Sequence, residues 1–289
     1  MAASLAQEWT GVDPSIAAIE DELARLRETS TVPGSGANMR TSVMTHCAWV
    51  PPAWLGAAEA TLAGMAEQHP SRTLILIPLP DEPDGLDVDI SLRCFAAGER
   101  HVCGEVIELR LRGNRAQAPA SIVLPLVISD LPVFCRWRGR PPFGEAPWEQ
   151  LVDVADRVIV DSSEWDEPGY ADLAKVFERT AISDIAWARL RDWRLELAGR
   201  WPEIRDQEIY VSGPPAEAAL LRGWLATRLK RAIRPFKDAD ELGVKLGGED
   251  LPSPPGEPRS PSDLLSAELD RLTSDRVYEE AVLAAVSAR

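Results

Sequence analysis

The run Thr73-Leu74-Ile75-Leu76-Ile77, closed by Pro78, constrains the fold of this chain more than any other segment. A continuous apolar strand has no polar face to offer to water, so it has to be buried on both sides. A sheet sandwiched between helices supplies that burial. Upstream, Arg40 to Val50 reads as a strand, and Pro51-Pro52 starts a helix with Leu55, Ala58, Leu62 and Met65 on one face. Strand, helix and buried strand within about forty residues make a βαβ unit, which takes a right-handed crossover.

The rest of the chain extends this pattern. Val88 to Ala97 and His101 to Arg112 read as two strands around Gly98-Glu99-Arg100, hence an antiparallel hairpin. In the second strand Val106, Glu108, Arg110 and Arg112 share one face, so the ribbon is expected to expose a charged side. A helix over Ala118 to Ser129 precedes strands at Leu131 to Trp137 and Arg157 to Asp161. Tyr170 to Arg179 reads as helical, and a long helix is expected from Ser183-Asp184 to Arg200 with Trp187, Leu190, Leu197 and Trp201 as its apolar spine. A strand at Glu208 to Val211 and a helix from Pro215 to Lys230 follow. Near the start, Asp13-Pro14 caps a helix carrying Ile16, Ile19, Leu23 and Leu26. The expected fold is α/β: a three-layer mixed sheet with helices on both faces, plus a helical C-terminal tail. In domain terms, residues 1–37 are an N-terminal helix and linker, and 38–247 an α/β domain with a subdomain division near 180. Residues 248–261 are a proline-rich linker, and 262–289 a helical tail broken near Thr273-Ser274-Asp275.

Charge narrows the partners. A net charge of −15 opposes binding to a polyphosphate backbone or an anionic membrane surface, because few cations are available to displace counterions. No basic segment followed by an apolar one opens the chain, and no apolar run approaches the roughly 20 residues needed to span a bilayer. A cytoplasmic location is the expectation. Ten Trp against five Phe and three Tyr is an unusual balance, and it suits a core with one or two interface anchors.

Motifs for chemistry are few. Gly34-Ser35-Gly36 lacks the third glycine of a dinucleotide fingerprint and precedes a strand, so it reads as a linker. The cysteines form no C-x-x-C pair, and His46, His69 and His101 add no zinc-ligand spacing; no metal and no cofactor is expected. Cys94 and Cys103 sit on opposite arms of the expected hairpin, where a redox pair and two inert buried thiols are the alternatives. Asp161-Ser162-Ser163 lies at the carboxyl end of a strand, the place where open α/β sheets hold ligands. A carboxylate and two hydroxyls there can hold a sugar or phosphate, or simply form a turn and a helix cap. Arg72, just before the buried strand, is positioned to pair with an acidic group.

Several stretches in order carry a resemblance: His69-Pro70-Ser71-Arg72-Thr73-Leu74-Ile75-Leu76, Gly104-Glu105-Val106-Ile107-Glu108-Leu109, Leu124-Pro125-Leu126, and Asp130-Leu131-Pro132-Val133. Val160-Asp161-Ser162-Ser163, the segment Asp184 to Arg194, and Gly223-Trp224-Leu225-Ala226 continue it. Together they resemble the glucose-6-phosphate dehydrogenase assembly protein family (OpcA). The resemblance implies a non-catalytic assembly factor or allosteric activator that associates with glucose-6-phosphate dehydrogenase in the oxidative pentose phosphate pathway. On that reading the protein is not an enzyme. The expected contact residues are Phe143 and Trp148 in an exposed proline-rich loop, with Trp187, Arg189, Arg191, Trp193 and Arg194 on the long helix. The alternative is a sugar- or phosphosugar-binding enzyme that uses Asp161, Ser162 and Ser163.

Overall fold

The computed structural model describes residues 6–29, 42–65, 68–97, 100–256 and 258–287. The fold is mixed α/β. The chain divides into two compact units, Met1–Val158 and Ile159–Arg289. The first carries β1 (Ala6–Val12), α1 (Ile16–Thr29), β2 (Thr45–Trp49), α2 (Leu55–Ala63) and β3 (Arg72–Leu79). It continues with β4 (Gly85–Ala97), β5 (Arg100–Arg112), α3 (Ala120–Leu126), β6 (Val133–Trp137), α4 (Ala146–Val154) and β7 (Arg157–Val160), inside which the boundary falls. The second unit holds α5 (Tyr170–Leu173), β8 (Ala181–Asp184), α6 (Ile185–Arg189), α7 (Arg191–Gly199), β9 (Ile209–Gly213) and α8 (Pro215–Leu229). After these come β10 (Arg234–Asp238), β11 (Gly243–Leu246), β12 (Glu249–Asp250), α9 (Pro261–Leu269) and α10 (Arg276–Ser287). Among the described residues the strands of the first unit run in the order β1-β4-β5-β3-β2-β6-β7, and a smaller sheet of the second unit in the order β10-β9-β11-β12.

In the first unit β2, α2 and β3 form the expected βαβ unit, with β2 and β3 parallel and Cys47 opposite Leu74. Strand β3 is also parallel to β5, which pairs antiparallel with β4 as the hairpin reading requires. Side chains alternate across the strands, so each face of β3 meets its own helix layer. On one face Ile75 and Ile77 join Ala48 and Val50 against Ala58, Leu55 and Leu62 of α2. On the other, Leu74, Leu76, Ile107 and Leu109 are fully buried. Arg72, two residues before Leu74 and on its face, bonds to α1 and α3, which places those helices there. Helices therefore lie on both faces of the sheet.

The outer half of this sheet behaves differently. Asp89 accepts from Thr10 Oγ1 at 2.6 Å and pairs with Arg110, while Arg112 pairs with Asp87 at 3.2 Å. These half-exposed groups are the charged face expected of the ribbon. Strand β1, with Trp9 opposite Ile90, was not anticipated. Gln7, Glu8, Thr10 and Gly11 dilute its apolar alternation, and pairing with the long β4 decides its conformation.

One acidic residue stands on the apolar face. Glu105 accepts from Arg72 Nε at 2.7 Å and from Arg27 Nε of α1 at 2.6 Å. Arg72 Nη1 continues to Glu20 at 2.7 Å and to the Leu126 carbonyl of α3 at 2.8 Å. Burial raises the Glu105 pKa, but the two guanidiniums outweigh it and hold the carboxyl below its ordinary value.

Three expectations need correction. The helix expected over Ser183–Arg200 is a strand and two short helices, because Asp184 ends β8 and caps α6, and the chain turns again at Leu190. Trp201, assigned to the spine, is 57% exposed. Trp148 is not on an exposed loop: it lies in α4, 1% exposed, edge-on to Trp137 and Phe143. Residues 234–250, given no strand, build three of the four strands of the smaller sheet around β9. The last helices match expectation. Ser260 and Asp263 form a reciprocal capping box at the start of α9, and Leu251–Gly256 has no helix or strand. No described helix is long and apolar enough to cross a membrane. Gly34-Ser35-Gly36 falls outside the described residues.

Glu105→Ala should cost about 3–5 kcal/mol of stability, because Arg72 is buried and loses its principal counter-charge. Urea unfolding of the variant measures this; a loss below about 1 kcal/mol would show that the node does not hold the sheet to α1.

Candidate functional site

The main polar cluster of the second unit grows from two strand ends with the same local logic. Asp161 follows β7 and caps the short turn Ser162–Glu164, its carboxylate accepting from Ser163 N at 3.2 Å. Asp184 ends β8 and caps α6, accepting from Ala186 N at 2.9 Å. A short acidic side chain just after a strand meets the unpaired amides of the next helical turn.

These caps are linked. Asp184 Oδ1 also accepts from Ser162 N at 3.0 Å, and its Oδ2 from Tyr278 Oη of α10 at 3.3 Å. Arg189, at the end of α6, forks onto Asp161, with Nη1 to Oδ1 at 3.0 Å and Nη2 to Oδ2 at 2.6 Å. Nη1 also reaches Ser163 Oγ at 2.9 Å and Glu217 Oε1 of α8 at 3.2 Å. Tyr170 Oη donates to Ser162 Oγ at 2.9 Å. Asp161, Ser162 and Asp184 are all buried, so the carboxylates and the Ser162 hydroxyl are occupied by intramolecular partners. Ser163 and the outer edge of Arg189 are what this cluster presents to solvent.

Electrostatics follow the burial. Burial, reinforced by the nearby charge of Asp161, pushes the Asp184 pKa up to about 7. Burial also raises Glu217, whose Oε2 is buried without a hydrogen-bond partner. Burial holds the Tyr170 and Tyr278 phenols well above their ordinary values. For Arg189 burial acts downward, but its bonds to Asp161 prevail and the guanidinium stays charged.

The candidate contact residues fall in different places. Trp187 and Trp193 are buried in the second unit, and Trp187 Nε1 donates to Asp275 at 3.0 Å. The Arg194 guanidinium lies 3.6 Å over the Trp187 ring, and burial lowers its pKa to about 10. Arg191 is exposed. In the first unit, Phe143 is half-buried against Trp148, with Arg140 over its ring. The β4–β5 register sets Cys94 opposite Cys103, but their side chains lie outside the described residues.

Asp184, Glu217 and Tyr278 join the cluster without having been expected there. Asp184 was open to discovery, since Ser183-Asp184-Ile185 repeats the strand-to-cap pattern of Val160-Asp161-Ser162. Glu217 and Tyr278 carry no local signal, because only tertiary packing brings α8 and α10 to the cluster. Cys47 and Cys135 also meet only through the fold, directly opposite each other on β2 and β6. A hydrogen bond between the thiols, together with burial, pushes the Cys47 pKa well up and leaves that thiol unreactive.

Comparison with known proteins bears out the family resemblance. Residues 63–177 match the model of the glucose-6-phosphate dehydrogenase subunit N-terminal domain, a stretch that includes Asp161–Ser163 and Tyr170 but stops short of Arg189. A putative OxPP cycle protein OpcA of Nostoc punctiforme is 29% identical over 183 residues, covering 57% of this chain and 39% of that protein. The proteins of the same name in Synechocystis and Synechococcus elongatus are 28% and 27% identical, covering 57% of this chain and 38% and 41% of their own. The match thus spans about two fifths of the length of these curated relatives.

Asp184 yields a pH prediction. Its folded pKa of about 7 exceeds the ordinary 3.8, so its favourable contribution is complete below the unfolded value and is lost as pH rises through 7. Above that, the fold holds a buried carboxylate at a cost. Asp184→Asn should therefore gain on the wild type by about 2–4 kcal/mol between roughly pH 5 and pH 9. Urea midpoints across that range measure the gap; a constant gap would show that Asp184 does not titrate there.

Proposed function

We propose that this protein binds glucose-6-phosphate dehydrogenase and favours its active conformation or assembly, without performing the hydride transfer itself. The observation that carries this reading is the match of residues 63–177 to the dehydrogenase subunit domain, together with the ordered resemblance on both sides of it. The geometry is consistent with it. The buried Asp161–Asp184–Arg189 cluster spends its polar groups on fixing four elements of the second unit to one another, which suits a rigid presenting surface.

An activator works by differential affinity: it shifts the enzyme only so far as it binds the active state more tightly. Contact energy at such interfaces concentrates in a few large side chains. With Trp187 and Trp193 inside, the large apolar groups left outside on this segment are Leu195, 60% exposed, and Trp201, 57% exposed. Exposed Arg191 lies at the start of α7, the helix that carries Leu195. We assign the contact with the dehydrogenase to this surface of the second unit.

The test is an assay of the dehydrogenase from the same organism with and without the chain, paired with gel filtration. A lower KM or a higher kcat on addition, with co-elution, is the expected result. No kinetic effect and no co-elution would overturn the proposal. Trp201→Ala should weaken the complex by about 2 kcal/mol, roughly thirtyfold in Kd, while leaving the circular dichroism spectrum unchanged.

A further inference from the structure

On α8, Arg222 stands four residues after Ala218, three after Ala219 and four before Ala226, so it neighbours all three alanines on the helix surface. All four are partly exposed, and three of them end at a single methyl group. With Val211 of β9 and Ile233 they line a cavity of about 250 Å³ within the second unit. Apolar cavities of roughly 150 Å³ already hold a benzene-sized body, so this one has room for such a body and a polar head.

Arg222 is the exception in that lining. Its Nε donates to the Ile233 carbonyl at 3.3 Å, and no described carboxylate pairs with it. Burial lowers its pKa, with no neighbouring charge acting in the opposite direction. Arg27, Arg72, Arg112 and Arg189, by contrast, each have a carboxylate within salt-bridge distance, whereas Arg194, Arg231 and Arg259 are held by carbonyls of the chain. At Arg222 a forked cation instead borders an apolar hollow with its terminal nitrogens unpaired, an arrangement complementary to an anion with an apolar body.

We propose that this cavity is a binding site for a small organic anion, a carboxylate or phosphate monoester on a short apolar chain, with the Arg222 terminal nitrogens on the anionic oxygens. The site is independent of the dehydrogenase reading, and its test needs no second protein. Calorimetric titration of the full chain with pentanoate and propyl phosphate, with pentan-1-ol as the neutral control, reads it directly. At least one anion should bind, and the alcohol should bind about tenfold more weakly or not at all. Arg222→Met, which keeps the stem and removes the charge, should weaken the anion by about tenfold or more. Ala219→Leu, which fills the cavity and keeps Arg222, should also abolish binding, and it decides the matter if the first variant does not fold. No binding of either anion, equal binding of the alcohol, or full binding by folded Ala219→Leu would overturn the proposal.

Discussion

The first unit is organised around a buried negative charge that it cannot leave alone. Glu105 sits among leucines and isoleucines on the inner face of β5, where an uncompensated carboxylate would be prohibitive. The chain solves this by bringing Arg72 from the adjacent strand and Arg27 from α1, and Arg72 in turn takes up Glu20 and a carbonyl of α3. The apolar run of β3 demands cover on both faces, but hydrophobic burial is indifferent to which helix provides it. The ion-pair node removes that freedom, since α1 has to lie where Arg27 and Glu20 can reach. Specificity of docking, more than net stability, is what such a node contributes.

Much of this was legible. Thr73–Ile77 announced a covered strand, the alternation in Glu105–Arg112 gave the ribbon its charged face, and Ser260-Pro261 marked the start of α9. These signals are local: composition, period and capping chemistry. The failures share a different cause. Ser183–Arg200 looks helical because Trp187, Leu190 and Leu197 repeat at helical spacing, and all three are buried. Asp184 ends β8 and sets the start of α6 by accepting from Ser162 N and Ala186 N, a tertiary commitment that periodicity does not register, and the chain turns once more at Leu190. Trp148 looked exposed because prolines surround it, yet it belongs to an aromatic column in which Trp49 and Trp137 stack at 4.8 Å. The polar residues Asp161, Ser162 and Ser163 were visible, while Glu217 and Tyr278, which complete their cluster, come from helices far along the chain.

The second unit handles charge by another route. Arg189 bonds Asp161, while among the described residues the groups that bond Asp184 are amides and a phenol. Hydrogen bonds to neutral donors stabilise a carboxylate less than a guanidinium does, so Asp184 drifts toward neutrality while Glu105 stays firmly ionised. Two buried acids in one chain thus end with opposite shifts: two guanidiniums outweigh burial at Glu105, whereas at Asp184 burial and the neighbouring charge of Asp161 outweigh the neutral donors.

The helix α10 closes the second unit. Tyr278, Ala281 and Val282 are fully buried, and α8 meets α10 so closely at Gly223 that a methyl group there would lie 2.1 Å from the Ala281 carbonyl oxygen. This has a consequence for the order of events during synthesis. The cap at Asp161 and the strand β8 leave the ribosome long before Tyr278, so Asp184 waits without one of its donors until more than ninety further residues have been made. Until then the apolar sides of α6 and α8 lack their cover, and the unit is at its most vulnerable to proteases and chaperones. A ribosome that stalls in the proline-rich stretch after Leu251 would hold it in that unfinished state.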